Sequence, residues 1–400
     1  MKAVSRNAKF RRCRICVISA GLFFLFSYLF GVYSYSRNIW PIEILRAVNA
    51  RAFGGGAKAA AEAKAAADES RLKLIKYFNF NNSNIATLNE IGASGKLTYL
   101  YSDIDYIFQE KSEYCPNSDH KFLDFFLKKY AFECSRIVYK TSDHQTFSLL
   151  IKSNIKASIS RLLIYNHGHG GLPADSELFA FDLIKDSLED GSDVLLVSMP
   201  FTGLDKIKFD FRFDSWDGVS IASAKMANEN SSYLHGIFEF MNTGKSHFMR
   251  YFIDNAVIST LKLRSRYSSV NYVGLSGGAT TGLYTCSLLK DMLDNCILVA
   301  GVMPINLRVL PKAFGDSEQI SSSFYSRNNL FDIIKDLSES KTRVHLIYNE
   351  NDSCCFDKES ASQFVNQIKV RGIRNVAISI RKSEHHDFDP KNITRIIYSR

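Results

Sequence analysis

Four short stretches of this chain carry side chains that together suit the cleavage of an acyl bond. The first is Gly274-Leu275-Ser276-Gly277-Gly278, a hydroxyl with a glycine two residues away on either side. The last is Ser383-Glu384-His385-His386-Asp387-Phe388, which brings two imidazoles close to the end of the sequence. Between them stand Asp316, Glu350 and Asp352, and well ahead of all of these comes His167-Gly168-His169-Gly170-Gly171. A serine hydroxyl is a poor nucleophile until a base takes its proton, and histidine is the side chain whose ordinary pKa suits that work near neutrality. A carboxylate can then hold the imidazole in the required tautomer. Backbone N–H groups fixed in advance can stabilise the developing oxyanion by about 2.7 to 4 kcal/mol per donor.

These groups are far apart in sequence, so secondary elements must gather them. The pentapeptide alone is weak, because glycine and serine are common and such motifs need their structural context. Here an apolar run with Val270 and Val273 leads into Ser276 and a helical pattern follows from Thr280 to Leu289, which reads as strand, sharp turn, helix. A serine at that turn sits in a strained conformation with its hydroxyl pushed outward, and the glycines remove Cβ atoms that would collide with strand and helix. Upstream, 135–139 and 146–152 read as an antiparallel hairpin, 161–166 and 193–199 as buried strands, and 176–188 as the helix between them. Downstream, 296–302, 343–348 and 375–381 read as further strands, with helices at 330–337 and 359–370. Strands alternating with helices predict an α/β architecture, a mostly parallel sheet covered by helices on both faces.

From about residue 135 to the end, about two thirds of the chain, the order of these markers resembles the α/β-hydrolase superfamily: a His-Gly loop after an early strand, GxSxG, an acid after a later strand and a histidine near the end. The resemblance implies Ser276 as nucleophile, Asp352 as acid and His386 as base, with Glu350 and Asp316 as alternative acids and His385 as the alternative base. It implies Gly277 and His169 as oxyanion donors, although the loop departs from the lipase HGGG form by having His169 at its centre. It further implies a serine hydrolase, carboxylesterase-like and acting through an acyl-enzyme, with peptidase or amidase, acyltransferase, or a silent binding module of the same fold as alternatives. His167 and His169 also offer two zinc ligands, but no third or fourth follows at metal spacing, so neither a metal nor an organic cofactor is expected.

A net charge of +9 suggests a polyanion partner until it is located. Lys2, Arg6, Lys9, Arg11, Arg12 and Arg14 supply +6 before residue 15, leaving +3 for everything after, so nucleic acid is not expected as a partner. Residues 15–33 follow as nineteen uncharged residues, nearly enough helix at about 1.5 Å per residue for a hydrocarbon core of roughly 30 Å. No small-x-small cleavage site lies close behind them. The expected organisation is a basic cytoplasmic tip (1–14), a transmembrane signal-anchor (15–36), an Ala-rich helical stalk (37–78), an extension or cap (79–134) and an exported catalytic domain (135–400) with an insertion at about 201–265. The substrate would be a small-molecule, lipid or polysaccharide ester. In an oxidising compartment six cysteines beyond the anchor form an even set, with Cys115–Cys134 the favoured pair and buried thiols an equal expectation for Cys286, Cys296, Cys354 and Cys355.

Overall fold

The computed structural model describes residues 96–98, 103–111, 121–130, 132–140, 145–168, 178–200, 213–214, 220–221, 235, 238, 248–304, 307–308, 317–325, 328–352, 354 and 356–398. All lie within one unit, Gly55–Arg400. The expected membrane segment and stalk, Cys115, His169, Asp316 and Cys355 lie outside the described residues. Among the described residues no helix is long and apolar enough to cross a membrane.

The centre is a 9-stranded sheet. Its strands are β1 (Ile107–Lys111), β2 (Glu133–Lys140), β3 (Gln145–Lys152), β4 (Arg161–Asn166), β5 (Ser192–Val197), β6 (Ser269–Leu275), β7 (Asn295–Val299), β8 (Arg343–Asn349) and β9 (Val376–Arg381). Across the sheet they run β9-β8-β7-β6-β4-β5-β3-β2-β1. From β5 through β9 every pairing is parallel, whereas β1, β2 and β3 are antiparallel to their neighbours. Every residue of β7 is buried and all but the first of β4 and β6. Helices on both faces demand such mainly apolar runs, since neither side of the strand meets water, and the buried Asn271 and Asn295 within them bond each other at 2.7 Å.

Seven helices of nine or more residues are described: α1 (Lys121–Tyr130), α2 (Leu178–Glu189), α3 (Arg250–Leu263), α4 (Gly277–Leu288), α5 (Leu330–Ser338), α6 (Lys358–Val370) and α7 (Pro390–Tyr398). From β4 the chain steps through α2 to β5 in one direction, then turns back past β4 to β6, β7, β8 and β9. Right-handed crossovers therefore put α2 on one face of the sheet and α3 to α6 on the other. The packing agrees, with α2 against α7 and α4 against α3 and α5. The reversal makes the carboxyl ends of β4 and β6 the topological switch point, the place where open α/β sheets form their ligand crevice.

Three elements escape the sequence reading. β1 and α1 fall in the stretch expected to be an extension or cap, and β1 pairs with β2 as the outermost strand of the main sheet. α7 follows the terminal histidines, with Asp389 accepting the Lys391 N–H at 3.0 Å and Pro390 as first helical residue. Within the stretch read as an insertion, α3 is buried along almost its whole length, so that part is scaffold. The strand expected at 296–302 ends at Val299, because Ala300 takes a φ of 45° and turns the chain away.

Candidate active site

Ser276 stands between the last residue of β6 and the first of α4, with φ 56° and ψ −124°. A side chain in that region carries strain of about 1–3 kcal/mol, retained only where the surroundings fix it. Here they do. The Ser276 N–H donates to the Val299 carbonyl at 2.9 Å, tying the turn to β7, and the Ser276 carbonyl accepts from the N–H groups of Ala279 and Thr280 at 3.0 Å each. A Cβ on Gly274 would stand 2.3 Å from the Gly278 carbonyl oxygen, and one on Gly278 would stand 2.1 Å from that of Asn166. Both glycines of the motif are thus required by close approach, and the helix begins at Gly277, three residues earlier than its apolar pattern suggests.

Asp352 lies three residues beyond β8, buried at 5% exposure, and His386 lies beyond β9. The two are joined: His386 Nδ1 is 2.9 Å from Asp352 Oδ2 and 3.1 Å from Oδ1. The carboxylate also accepts the Cys354 N–H at 2.7 Å, which fixes its orientation. His386 Nε2 is buried and has no hydrogen-bond partner, so the bond from His386 to Asp352 is formed and one from His386 to Ser276 is not. Such bonds are commonly long or misaligned before substrate tightens them. All three side chains follow carboxyl ends of parallel strands, the edge of the sheet that holds the crevice.

The alternatives are placed elsewhere. His385 is exposed, and it is its backbone carbonyl that is used, accepting Asn349 Nδ2 at 2.7 Å. Glu350 is bonded to Lys358, and that bond and charge hold its carboxyl below the usual range. The loop carrying His386 is clamped by residues that sequence reasoning did not assign. Asn349 Nδ2 donates also to the Asp387 carbonyl at 2.8 Å, and Arg381 bonds both Asn349 Oδ1, at 3.0 Å, and the Asp387 carboxylate. Phe388 is buried edge-on against Phe179 and Tyr165, at ring separations of 4.8 and 6.0 Å. The available signal was the strand-end pattern, polar at Asn349 and Arg381 where apolar runs stop.

Gly277 heads α4, so its N–H has no acceptor within the helix and lies at the positive end of the helix dipole. The Gly168 N–H is taken by Asn166 Oδ1 at 3.2 Å, which leaves an oxyanion donor from that loop to come from further along, where His169 lies outside the described residues. Among the described residues the group with metal-ligand spacing is Asp352, Cys354 and His386. Cys354 is disulfide-bonded, so its sulfur is no thiolate, and the other two already bond each other. Cys286 in α4 and Cys296 in β7 form a disulfide, where buried thiols were the equal expectation. Cys134 is disulfide-bonded as well.

No family model and no curated protein matches the sequence. Solved structures similar to the chain include acetyl xylan esterase 1 from Thermoanaerobacterium sp., at 11% identity and a TM-score of 0.44, covering 82% of this chain and 96% of that one. Another is Est1E from Butyrivibrio proteoclasticus, at 12% identity and a TM-score of 0.42 over 66% of this chain and 95% of that one. The acylaminoacyl peptidase of Pyrococcus horikoshii is similar at 15% identity and a TM-score of 0.43, and this chain spans 40% of its length. By the order and direction of its strands, and by the strained serine where β6 meets α4, the chain has the α/β-hydrolase fold.

Proposed function

We propose that the protein is a serine hydrolase of carboxylic esters, acting through Ser276, His386 and Asp352. The observation that carries the reading is the pairing of buried Asp352 with part-buried His386 on the same sheet edge as a serine held at φ 56°. In the reaction Ser276 Oγ attacks the ester carbonyl carbon while its proton passes to His386 Nε2. Asp352 stays ionised, accepts the Nδ1–H and stabilises the imidazolium. The oxyanion takes the Gly277 N–H and a second donor, for which His169 is the candidate. The alkoxide then leaves with the proton from His386, and water deacylates the serine by the same route in reverse.

Amide hydrolysis uses the same groups, so the chemistry is separated by substrate. Purified protein should turn over p-nitrophenyl acetate or butyrate in a Ser276-dependent manner, with kcat/KM at least about 100-fold above any peptide p-nitroanilide, about 2.7 kcal/mol of transition-state preference. The reverse order would make it a peptidase, and transfer to added alcohols would make it an acyltransferase.

The anchored, exported location belongs to this proposal. Residues 15–33 are uncharged behind a basic tip, and bonded Cys286, Cys296, Cys134 and Cys354 suit an oxidising compartment. Sodium carbonate should leave the chain in the membrane fraction, and protease added outside the cytoplasmic membrane should digest 79–400. Release by carbonate, or full protection, would contradict it.

A further inference from the structure

The loop leaving β7 carries a buried guanidinium that the reaction above does not use. Arg308 is 4% exposed. Its Nη2 donates to the Gly301 carbonyl at 2.9 Å and approaches Thr280 Oγ1 at 3.4 Å, and its Nε donates to the Met303 carbonyl at 3.3 Å. The Thr280 hydroxyl itself donates to the Gly301 carbonyl at 2.7 Å and accepts from Gln319 Nε2 at 3.3 Å. Gly301 is pressed against the nucleophile turn: a Cβ there would stand 2.0 Å from the Ser276 carbonyl oxygen and 2.5 Å from Ala279 Cβ. It follows Ala300, whose φ of 45° is another strained position.

The same guanidinium reaches toward the base. Its central carbon lies 5.0 Å from the Phe356 ring centroid, a cation–π distance, and Phe356 lies 6.2 Å from the His386 ring at an interplanar angle of 19°. A buried cation costs several kcal/mol to desolvate, and an apolar side chain of similar volume often serves stability as well or better. Desolvation works against the charge of Arg308, and the nearby carboxylate of Glu318, itself buried beside His235 at 3.3 Å, works for it. The guanidinium stands at the junction of two strained turns, where its bonds to Gly301, Thr280 and Met303 hold them in register.

We infer that Arg308 is a positioning residue: it braces Gly301 and Thr280 under the Ser276 turn and supports, through Phe356, the ring of His386. This rests on the reading of Ser276 and His386 given above. Losing the brace would loosen the approach of hydroxyl to imidazole while leaving the crevice that binds substrate intact. The effect belongs in kcat, and displacement by about 1 Å can cost about 100-fold.

The test is steady-state kinetics on a p-nitrophenyl ester for the wild-type chain, Ser276→Ala, Arg308→Met and Arg308→Lys, with folding checked by circular dichroism and thermal unfolding. Arg308→Met should lower kcat by about 100-fold with KM within about 2-fold of wild type, and Arg308→Lys, which keeps the cation, should recover at least about 10-fold of it. Arg308→Met with wild-type kcat, or Arg308→Lys no better than Arg308→Met, overturns the assignment while Ser276→Ala remains inactive. Turnover that survives Ser276→Ala, or is absent from wild type, overturns the hydrolase reading instead. If Arg308→Met does not fold, Thr280→Val carries the test. It keeps the shape of the side chain but removes the hydroxyl that bonds Gly301, Gln319 and Arg308, and should lower kcat about 10-fold at unchanged KM, and wild-type kcat would overturn the brace.

Discussion

At the scale of single residues the account turns on which atoms of Asp352 and His386 face each other. Asp352 serves two donors at once, the Cys354 N–H and His386 Nδ1. In Asp352→Asn the amide oxygen can keep the backbone donor while the amide nitrogen turns toward the imidazole, which then presents the wrong tautomer to Ser276. We expect kcat on an ester substrate to fall by about 10³- to 10⁴-fold with the thermal midpoint little changed, and an unchanged kcat would remove Asp352 from the machinery. Gly278 makes a different kind of demand. A methyl there meets backbone, the Asn166 carbonyl at 2.1 Å, which cannot swing aside. Gly278→Ala should destabilise the domain by about 1–3 kcal/mol, read from urea unfolding, and lower activity by moving β4 from α4.

Elements explain why much of this was legible in the chain and some was not. The buried strands β4, β5, β6 and β7 announce themselves as short, mainly apolar runs, because burial on both faces permits little else, whereas β9, at the edge of the sheet, has no fully buried residue. The Ser276 turn was legible for the same reason that it is strained: Gly274 and Gly278 are forced by close contacts on both sides. His386 could be preferred over His385 only by resemblance, since two adjacent imidazoles differ in which way a loop turns them. That turn is set by Asn349, Arg381 and Phe388, and the bonds of Asn349 to Arg381, His385 and Asp387 span 32, 36 and 38 positions, which no local pattern encodes. The edge strand β1 alternates half-buried and exposed residues, too weak a pattern to distinguish from a loop. α7 has a good helix start in Asp389-Pro390, but it is short and buries only Ile393 and Ile397, too few apolar positions to set a clear helical period. The cysteines behave similarly. Cys286 and Cys296 are only 10 residues apart, yet they pair because α4 folds back antiparallel to β7. Replacing both Cys286 and Cys296 by serine, which leaves the disulfides of Cys134 and Cys354 in place, should lower stability by about 2–3 kcal/mol, measured as a lower urea midpoint, and an unchanged midpoint would show that this bond adds nothing to stability.

For the whole molecule, topology accounts for how groups more than a hundred residues apart in sequence share one rim. The chain steps from β4 to β5 and then reverses past β4 to β6, so the loops after β4 and β6 border the crevice, with those after β7, β8 and β9 in succession alongside. Asn166 at the end of β4 pairs in register with Gly274, two residues before Ser276, which sets the level at which the hydroxyl emerges. The fluorophosphonate reaction tests the central claim most directly, because it requires an activated serine and no knowledge of the natural substrate. Incubating the purified chain with a fluorophosphonate and mapping the adduct by peptide mass spectrometry should give one stoichiometric modification, on Ser276, abolished in Ser276→Ala and slowed by orders of magnitude in His386→Ala. Absence of an adduct, or an adduct on another residue, would contradict the account.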